Sequence, residues 1–134
     1  MTAKLTSETL DELLRRYLDE DTYSFEGVGQ LEVNSRGREL ESPLHMAVTR
    51  GAVNDVRLLL GGGADVNART DVNMTPLHRA VCGGNVEIVS LLLAAGAEAQ
   101  ATCFGQTALQ VAKELGFQEI VDLLRRAGGK DHAS

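Results

Sequence analysis

The side chains in this sequence that could do chemistry are three histidines, His45, His78 and His132, and two cysteines, Cys82 and Cys103. Imidazole and thiolate are zinc ligands, and a Cys-His pair can act as nucleophile and base, so spacing decides what they are for. None of the intervals matches a zinc site or a Cys-His nucleophile signature. The run Gly61-Gly62-Gly63 lacks the strand and helix that flank a phosphate-cradling loop, so it reads as a helix stop. No serine nucleophile elbow occurs. The residues therefore point to a protein that is not an enzyme and needs no metal or cofactor, and whose function is to bind.

The elements that would carry a binding surface show up as a repeat. The stretch Thr75-Pro76-Leu77-His78-Arg79-Ala80 returns as Ser42-Pro43-Leu44-His45-Met46-Ala47 and again as Thr107-Ala108-Leu109-Gln110-Val111-Ala112, at intervals of 33 and 32 residues. Gly51, Gly84 and Gly116 keep the same beat, and each precedes an apolar run: Val56 to Leu60, Val86 to Leu93, Ile120 to Leu124. A fixed period of this size marks a repeat protein. Within one unit, Thr75 is a good N-cap and Pro76 suits the first helical position, with Leu77, Ala80 and Val81 on one face. Gly83-Gly84-Asn85 breaks that helix through a positive φ, and a second helix follows whose face is Val86, Ile88, Val89, Leu92 and Leu93. A helix this apolar has to be covered, and one helix pair cannot cover itself, so neighbouring pairs must stack.

On these motifs, together with Gly63-Ala64-Asp65-Val66-Asn67, Gly96-Ala97-Glu98-Ala99-Gln100 and the remnant Leu31-Glu32-Val33-Asn34, the chain resembles the ankyrin-repeat family over residues 31 to 129. The resemblance implies an all-α solenoid of stacked helix-turn-helix pairs, forming a single ankyrin-repeat domain over 1–134 with an N-terminal amphipathic capping helix at 6–21. It divides the rest into an irregular loop and first hairpin at 22–41, repeat 1 at 42–74, repeat 2 at 75–106, a C-terminal capping repeat at 107–129 and a tail at 130–134. It also implies that His45 and His78 bond to the Ser42 and Thr75 hydroxyls and to nearby backbone, since buried polar groups are kept for hydrogen bonding. Protein partners would lie on a concave face made by the loop tips and the exposed side of each first helix. That face would comprise Arg38, Glu39, Glu41, Met46, Thr49 and Arg50, then Asp71, Val72, Met74, Arg79, Cys82 and Gly83, then Cys103, Phe104, Gln106, Val111, Glu114 and Leu115. Met46, Met74, Arg79 and Phe104 stand out because methionine, arginine and aromatics favour interface centres. The alternative for Met74 and Phe104 is that they fold back over the loops. Leu40 and Asn73 stand where the family prefers glycine at the loop tip, and Gly37 where it prefers aspartate. The third repeat has Ala108 for proline, Gln110 for histidine and one residue deleted between Gln100 and Gly105.

Both ends look closed. In 6–21, Leu10, Leu13, Leu14, Tyr17 and Leu18 share a helix face, Ser7 or Thr9 can cap it, and Glu8, Asp11 and Glu12 favour its first turn. Such a helix suits the open end of an array, the other possibility being that its charged face binds something. Residues 22–34 read as an irregular loop pinned by Tyr23 and Phe25 near Gly27 and Gly29. At the far end Arg125 and Arg126 turn the last helix polar, and Gly128-Gly129 stops it. The net charge of −6 speaks against nucleic acid and fits a basic protein partner weakly. No apolar run is long enough to span a membrane, the charged start does not read as a secretory signal, and the two cysteines make no disulfide framework, so the expected place is the cytoplasm. The reading is a non-catalytic protein-binding module, monomeric when free. Its sharper form is an inhibitor, since small acidic proteins resembling this one serve as bacterial immunity proteins against toxins. The alternative is an adaptor or homo-oligomeric assembly subunit.

Overall fold

The computed structural model describes residues 8–20 and 31–128. They form α1 (Leu10–Glu20), a 3-10 turn (Arg38–Leu40), α2 (Pro43–Arg50), α3 (Val53–Gly61), α4 (Pro76–Gly83), α5 (Val86–Ala94), the two-residue strands β1 (Thr102–Cys103) and β2 (Gln106–Thr107), α6 (Ala108–Leu115) and α7 (Gln118–Arg126). Helices α2, α4 and α6 stack side by side as one layer and α3, α5 and α7 as a second, while α1 lies against α3. This is the all-α repeat solenoid expected from the period. No helix among the described residues is long and apolar enough to cross a membrane.

The local chemistry of each unit follows from its residues. Ser42, Thr75 and Thr107 cap α2, α4 and α6, each hydroxyl accepting from the backbone N–H three residues on. The expected break at Gly83-Gly84-Asn85 is divided among three tasks. Gly83 is still helical, Gly84 takes the left-handed C-cap at φ 69°, and Asn85 caps α5 by accepting from Ile88 N–H at 3.0 Å. Gly84 is required twice over, because a Cβ there would also meet Phe117 of the next unit at 3.0 Å. Between the layers lie Leu44, Leu77 and Leu109 from the first helices and Leu59, Leu92 and Leu124 from the second, all essentially without exposure. Each contributes about 1.5–3 kcal/mol by leaving water. The expected face of α5 is narrower than its composition suggests: Ile88, Val89 and Leu92 are buried, whereas Val86 and Leu93 are half-exposed.

The cap helix is held by one polar staple in an apolar contact. Thr9 caps α1: its hydroxyl accepts from Glu12 N–H at 3.2 Å and the Glu12 carboxylate accepts from Thr9 N–H at 3.4 Å. Glu8 precedes the cap and pairs with Arg16 at 2.7 Å. Leu13, Leu14 and Tyr17 are buried, and the Tyr17 hydroxyl donates to Asp55 Oδ2 of α3 at 2.8 Å. Arg16 reaches the same carboxylate at 3.2 Å, and the Arg50 guanidinium sits 4.5 Å from the Tyr17 ring centre. Burial and the adjoining Asp55 carboxylate push the Tyr17 hydroxyl pKa well up. Residues Thr6, Ser7 and Asp21, the aromatics Tyr23 and Phe25 with Gly27 and Gly29, and Gly129 with the tail through His132 to Ser134 lie outside the described residues. At the other end α7 closes on exposed Arg125 and Arg126, and Gly128 takes φ 91°.

Removing one oxygen should test the staple. Tyr17→Phe is expected to keep α1 packed but lower stability by about 1 kcal/mol through the lost bond to Asp55, whereas Tyr17→Ala should cost about 3–5 kcal/mol by leaving a cavity under the cap. Urea unfolding monitored by circular dichroism reads both, and equal effects of the two variants would show that the ring contributes no packing.

Candidate functional site

The loops between units are hairpins whose length fixes their backbone. The first two close on Gly37 N–H to Glu41 O at 2.7 Å and Thr70 N–H to Met74 O at 3.1 Å, each enclosing three residues. In the third, Cys103 pairs with Gln106, so only Phe104-Gly105 remain between the strands. That is the structural effect of the one-residue deletion. A three-residue hairpin loop wants its last residue left-handed, a place taken by Asn73 at φ 65° and by Leu40 at φ 60°, with Glu39 also at φ 60°. A two-residue turn of type I′ wants both residues left-handed, which puts Phe104 at φ 52° before Gly105 at φ 77°. Asparagine tolerates this region; for leucine and phenylalanine it costs about 1–2 kcal/mol each.

The tips are anchored by the histidines. His45 Nδ1 lies 2.8 Å from Ser42 Oγ and its Nε2 lies 3.0 Å from Met74 O; His78 repeats this with Thr75 Oγ1 at 2.8 Å and Gln106 O at 3.0 Å. A carbonyl can only accept, so Nε2 carries the proton and Nδ1 accepts from the hydroxyl. Burial holds both pKa values below the ordinary 6.5, which favours the neutral ring that this pattern of bonds fits. The expected bonds to Ser42 and Thr75 are present. What spacing did not reveal is the far nitrogen, which ties each unit to the base of the next hairpin. In the last unit Gln110 replaces histidine and keeps only the local half, accepting from Thr107 N–H at 2.8 Å. Both ring nitrogens of each histidine are thus engaged within the fold, and among the described residues no group of three or more His, Cys, Asp or Glu could hold a metal ion.

The residues expected on the binding face fall into three sets. Arg38, Glu39, Asp71, Val72 and Phe104 are exposed at the tips, and Thr49, Arg50, Cys82, Gly83, Glu114 and Leu115 are exposed along the first helices. Glu41 and Arg79 are occupied with each other: the guanidinium straddles the carboxylate, with Nη2 2.7 Å from Oε2, and also reaches Thr49 Oγ1 at 3.2 Å. Arg79 is thus a brace between the first hairpin and α4, and not a free anchor. Gln106 is half-buried and donates to Glu114 at 2.7 Å, and Val111 is half-buried too. Met46 and Cys103, expected on the face, are buried beneath it. Met46 is 7% exposed and belongs to the core, because an apolar side chain at the repeat position of Arg79 has no ion pair to hold it at the surface. Cys103 is 5% exposed, with Sγ 3.7 Å from Val72 O and 3.9 Å from the sulfur of half-buried Met74. These two sulfurs fill the underside of the second tip. Of the pair expected either to project or to fold back, Met74 folds back and Phe104 projects.

Four large apolar side chains are exposed among the described residues, and all lie on this face: Leu40 (48%), Val72 (49%), Phe104 (78%) and Leu115 (48%). Leu40 was not among the expected contact residues. Its signal was present, since leucine stands where the other two loops have Asn73 and Gly105, but only the backbone shows that the residue stays left-handed and turns outward. The cations near the face are mostly engaged: Arg50 contacts Glu20 at 3.4 Å as well as the Tyr17 ring, and Arg69 donates to Thr102 O at 3.0 Å.

A family model described as ankyrin repeats (3 copies) matches residues 44–133, and the chain belongs to that family. No curated protein matches it.

The histidine anchors carry a pH signature. Because the folded pKa values lie below 6.5, unfolding takes up protons beneath that value, so stability should be full above about pH 6.5 and fall as the pH drops below it. His45→Gln/His78→Gln should lose about 1 kcal/mol per site at neutral pH and flatten that acid decline. Urea midpoints between about pH 7.5 and 5.5 check this, and a parallel decline in the variant would assign it to carboxylates.

Proposed function

We propose that this ankyrin-repeat chain holds a protein partner on the row of hairpin tips and the adjoining side of α4 and α6, and acts as an inhibitor of the immunity type by covering that partner's working surface. Ankyrin repeats are generally protein–protein interaction modules. The observation that carries the reading is Phe104. It is 78% exposed and left-handed at φ 52°, so it gains no burial and strains the backbone at a turn position where asparagine or glycine would fit better. Strain that displays an apolar ring is a signature of function, and rigid aromatic anchors carry much of the energy of interfaces. Leu40, Val72 and Leu115 extend the same surface.

The free chain is read as a monomer. Its charge of −6 speaks against nucleic acid, and two unpaired thiols suit a reducing compartment such as the cytoplasm. With no catalytic constellation on the face, binding alone would produce the effect.

The test is affinity capture from native lysate with mass spectrometry, comparing the wild type with Val72→Ser/Phe104→Ser. Both positions are exposed, so the variant should melt like the wild type while retaining about tenfold less of one stoichiometric partner. Equal retention overturns the face. A captured enzyme that loses activity at one equivalent of added chain supports inhibition, and unchanged activity supports an adaptor. Phe104→Asn should separate stability from binding: stability is expected to rise by about 0.5–1 kcal/mol in urea unfolding as the strain is relieved, while capture falls.

A further inference from the structure

Three sulfur atoms from two units gather beneath the second hairpin tip. Cys103 Sγ, on β1, lies 3.9 Å from Met74 Sδ at the base of the preceding hairpin. The third is that of Cys82, in the last turn of α4. In the flanking units the residue before the N-cap and the residue seven after the cap are neighbours: Gln106 donates to Glu114 at 2.7 Å, and Arg79 spans Glu41 and Thr49. In the middle unit those two places belong to Met74 and Cys82. Burial holds the Cys103 thiol above its ordinary pKa, and Cys82 is near enough for its charge to add to that effect. Both cysteines are free thiols. Cys82 is exposed, Met74 half-buried and Cys103 buried, so the group opens to solvent on one side.

Thiolate and thioether are ligands for soft cations. A metal ion binds sulfur at about 2.3 Å, and three sulfurs around one ion at that distance stand about 4 Å apart. The Met74–Cys103 edge is thus already at ligating separation. Zinc binds thiolate, imidazole and carboxylate, and it would find only two donors here. His45 and His78, bonded to the Met74 and Gln106 carbonyls, have both nitrogens engaged, and among the described residues no group of three or more His, Cys, Asp or Glu could hold an ion. We infer that Cys82, Met74 and Cys103 form a trigonal three-sulfur site for one soft monovalent cation, Cu(I). The ion enters past Cys82, both thiols lose their protons to solvent, and copper keeps its oxidation state. Two thiolates around a monovalent ion leave one negative charge. The Arg69 guanidinium favours it, donating to Thr102 O at 3.0 Å beside Cys103. Once bound, the ion ties the second and third hairpins to α4.

The test titrates the intact, reduced chain with Cu(I) under anaerobic conditions against a chromogenic Cu(I) chelator, with native mass spectrometry counting the bound metal. The wild type should take one equivalent. Met74→Leu conserves volume and Cys82→Ser lies at the surface, so both should fold like the wild type by circular dichroism yet bind at least about tenfold more weakly. X-ray absorption of the loaded protein should show three sulfurs at about 2.3 Å. Saturating Cu(I) should raise the urea midpoint of the wild type and leave that of Cys82→Ser in place, because only the folded chain brings the three sulfurs together. Unchanged affinity in either variant, or two sulfurs around the metal instead of three, overturns the site. Two equivalents bound, or a midpoint that does not move, overturns it in favour of adventitious binding to separate thiols. An equal rise in midpoint with Zn(II) overturns the choice of ion.

Discussion

Everything in this molecule depends on side chains that reach from one repeat to the backbone of the next. His45 and His78 donate to Met74 O and Gln106 O at the hairpin bases. Asn34 and Asn67 also reach the next unit, each accepting from one N–H of the following unit, Asp65 or Glu98, at 2.8 Å and donating to Gly63 O at 3.1 Å or Gly96 O at 3.4 Å. Gln100 reaches Gly128 O at 2.7 Å, and Arg36 and Arg69 supply a third row along the hairpins. The repeat helices are only eight or nine residues long, too short to stand alone in water, so stability resides between units. Leucine packing supplies most of the energy, and these directional bonds set the register in which it is collected.

The rows run one way, from each unit to its successor, and this explains residues that looked like decay of the pattern. No further unit follows the α6–α7 unit among the described residues. Gln110 there retains the capping box and gives up the outward bond, and Thr102 stands in the row of Arg36 and Arg69 as an acceptor only. The first end is closed differently. Tyr17, Arg16 and Asp55 join α1 to α3 through a half-buried polar cluster set in apolar packing.

The same bonds make the tips stiff, which is what lets a strained loop display a side chain. The third hairpin, pinned at its base by the buried imidazole of His78, can hold Phe104 in a left-handed conformation that a loose loop would relax out of, and the first is held for Leu40 by Arg36 Nε donating to Leu40 O and Asp71 N–H donating to Glu39 O. A surface already fixed in shape loses little entropy when it is covered. The Arg79–Glu41 brace serves that end as well, by tying the first hairpin to the second unit's helix.

The sequence by itself determined the architecture. Period, N-caps, glycine C-caps and apolar runs are local properties repeated three times, and each is legible because it depends on residues within a few positions of one another. Val72 and Phe104 were legible as surface residues for the same reason, through their place at a loop tip. Only the tertiary structure decided which of the other expected contact residues reach solvent. Met46 and Arg79 hold one repeat position, yet one is in the core and the other braces the surface, because a carboxylate 38 residues away at Glu41 faces the arginine. Cys103 is buried by Met74 and by the Val72 carbonyl of the previous loop, and Leu40 projects because its hairpin encloses three residues. These outcomes turn on contacts between units, where the partner of a side chain lies about one repeat away in sequence and its orientation is set by how the units stack.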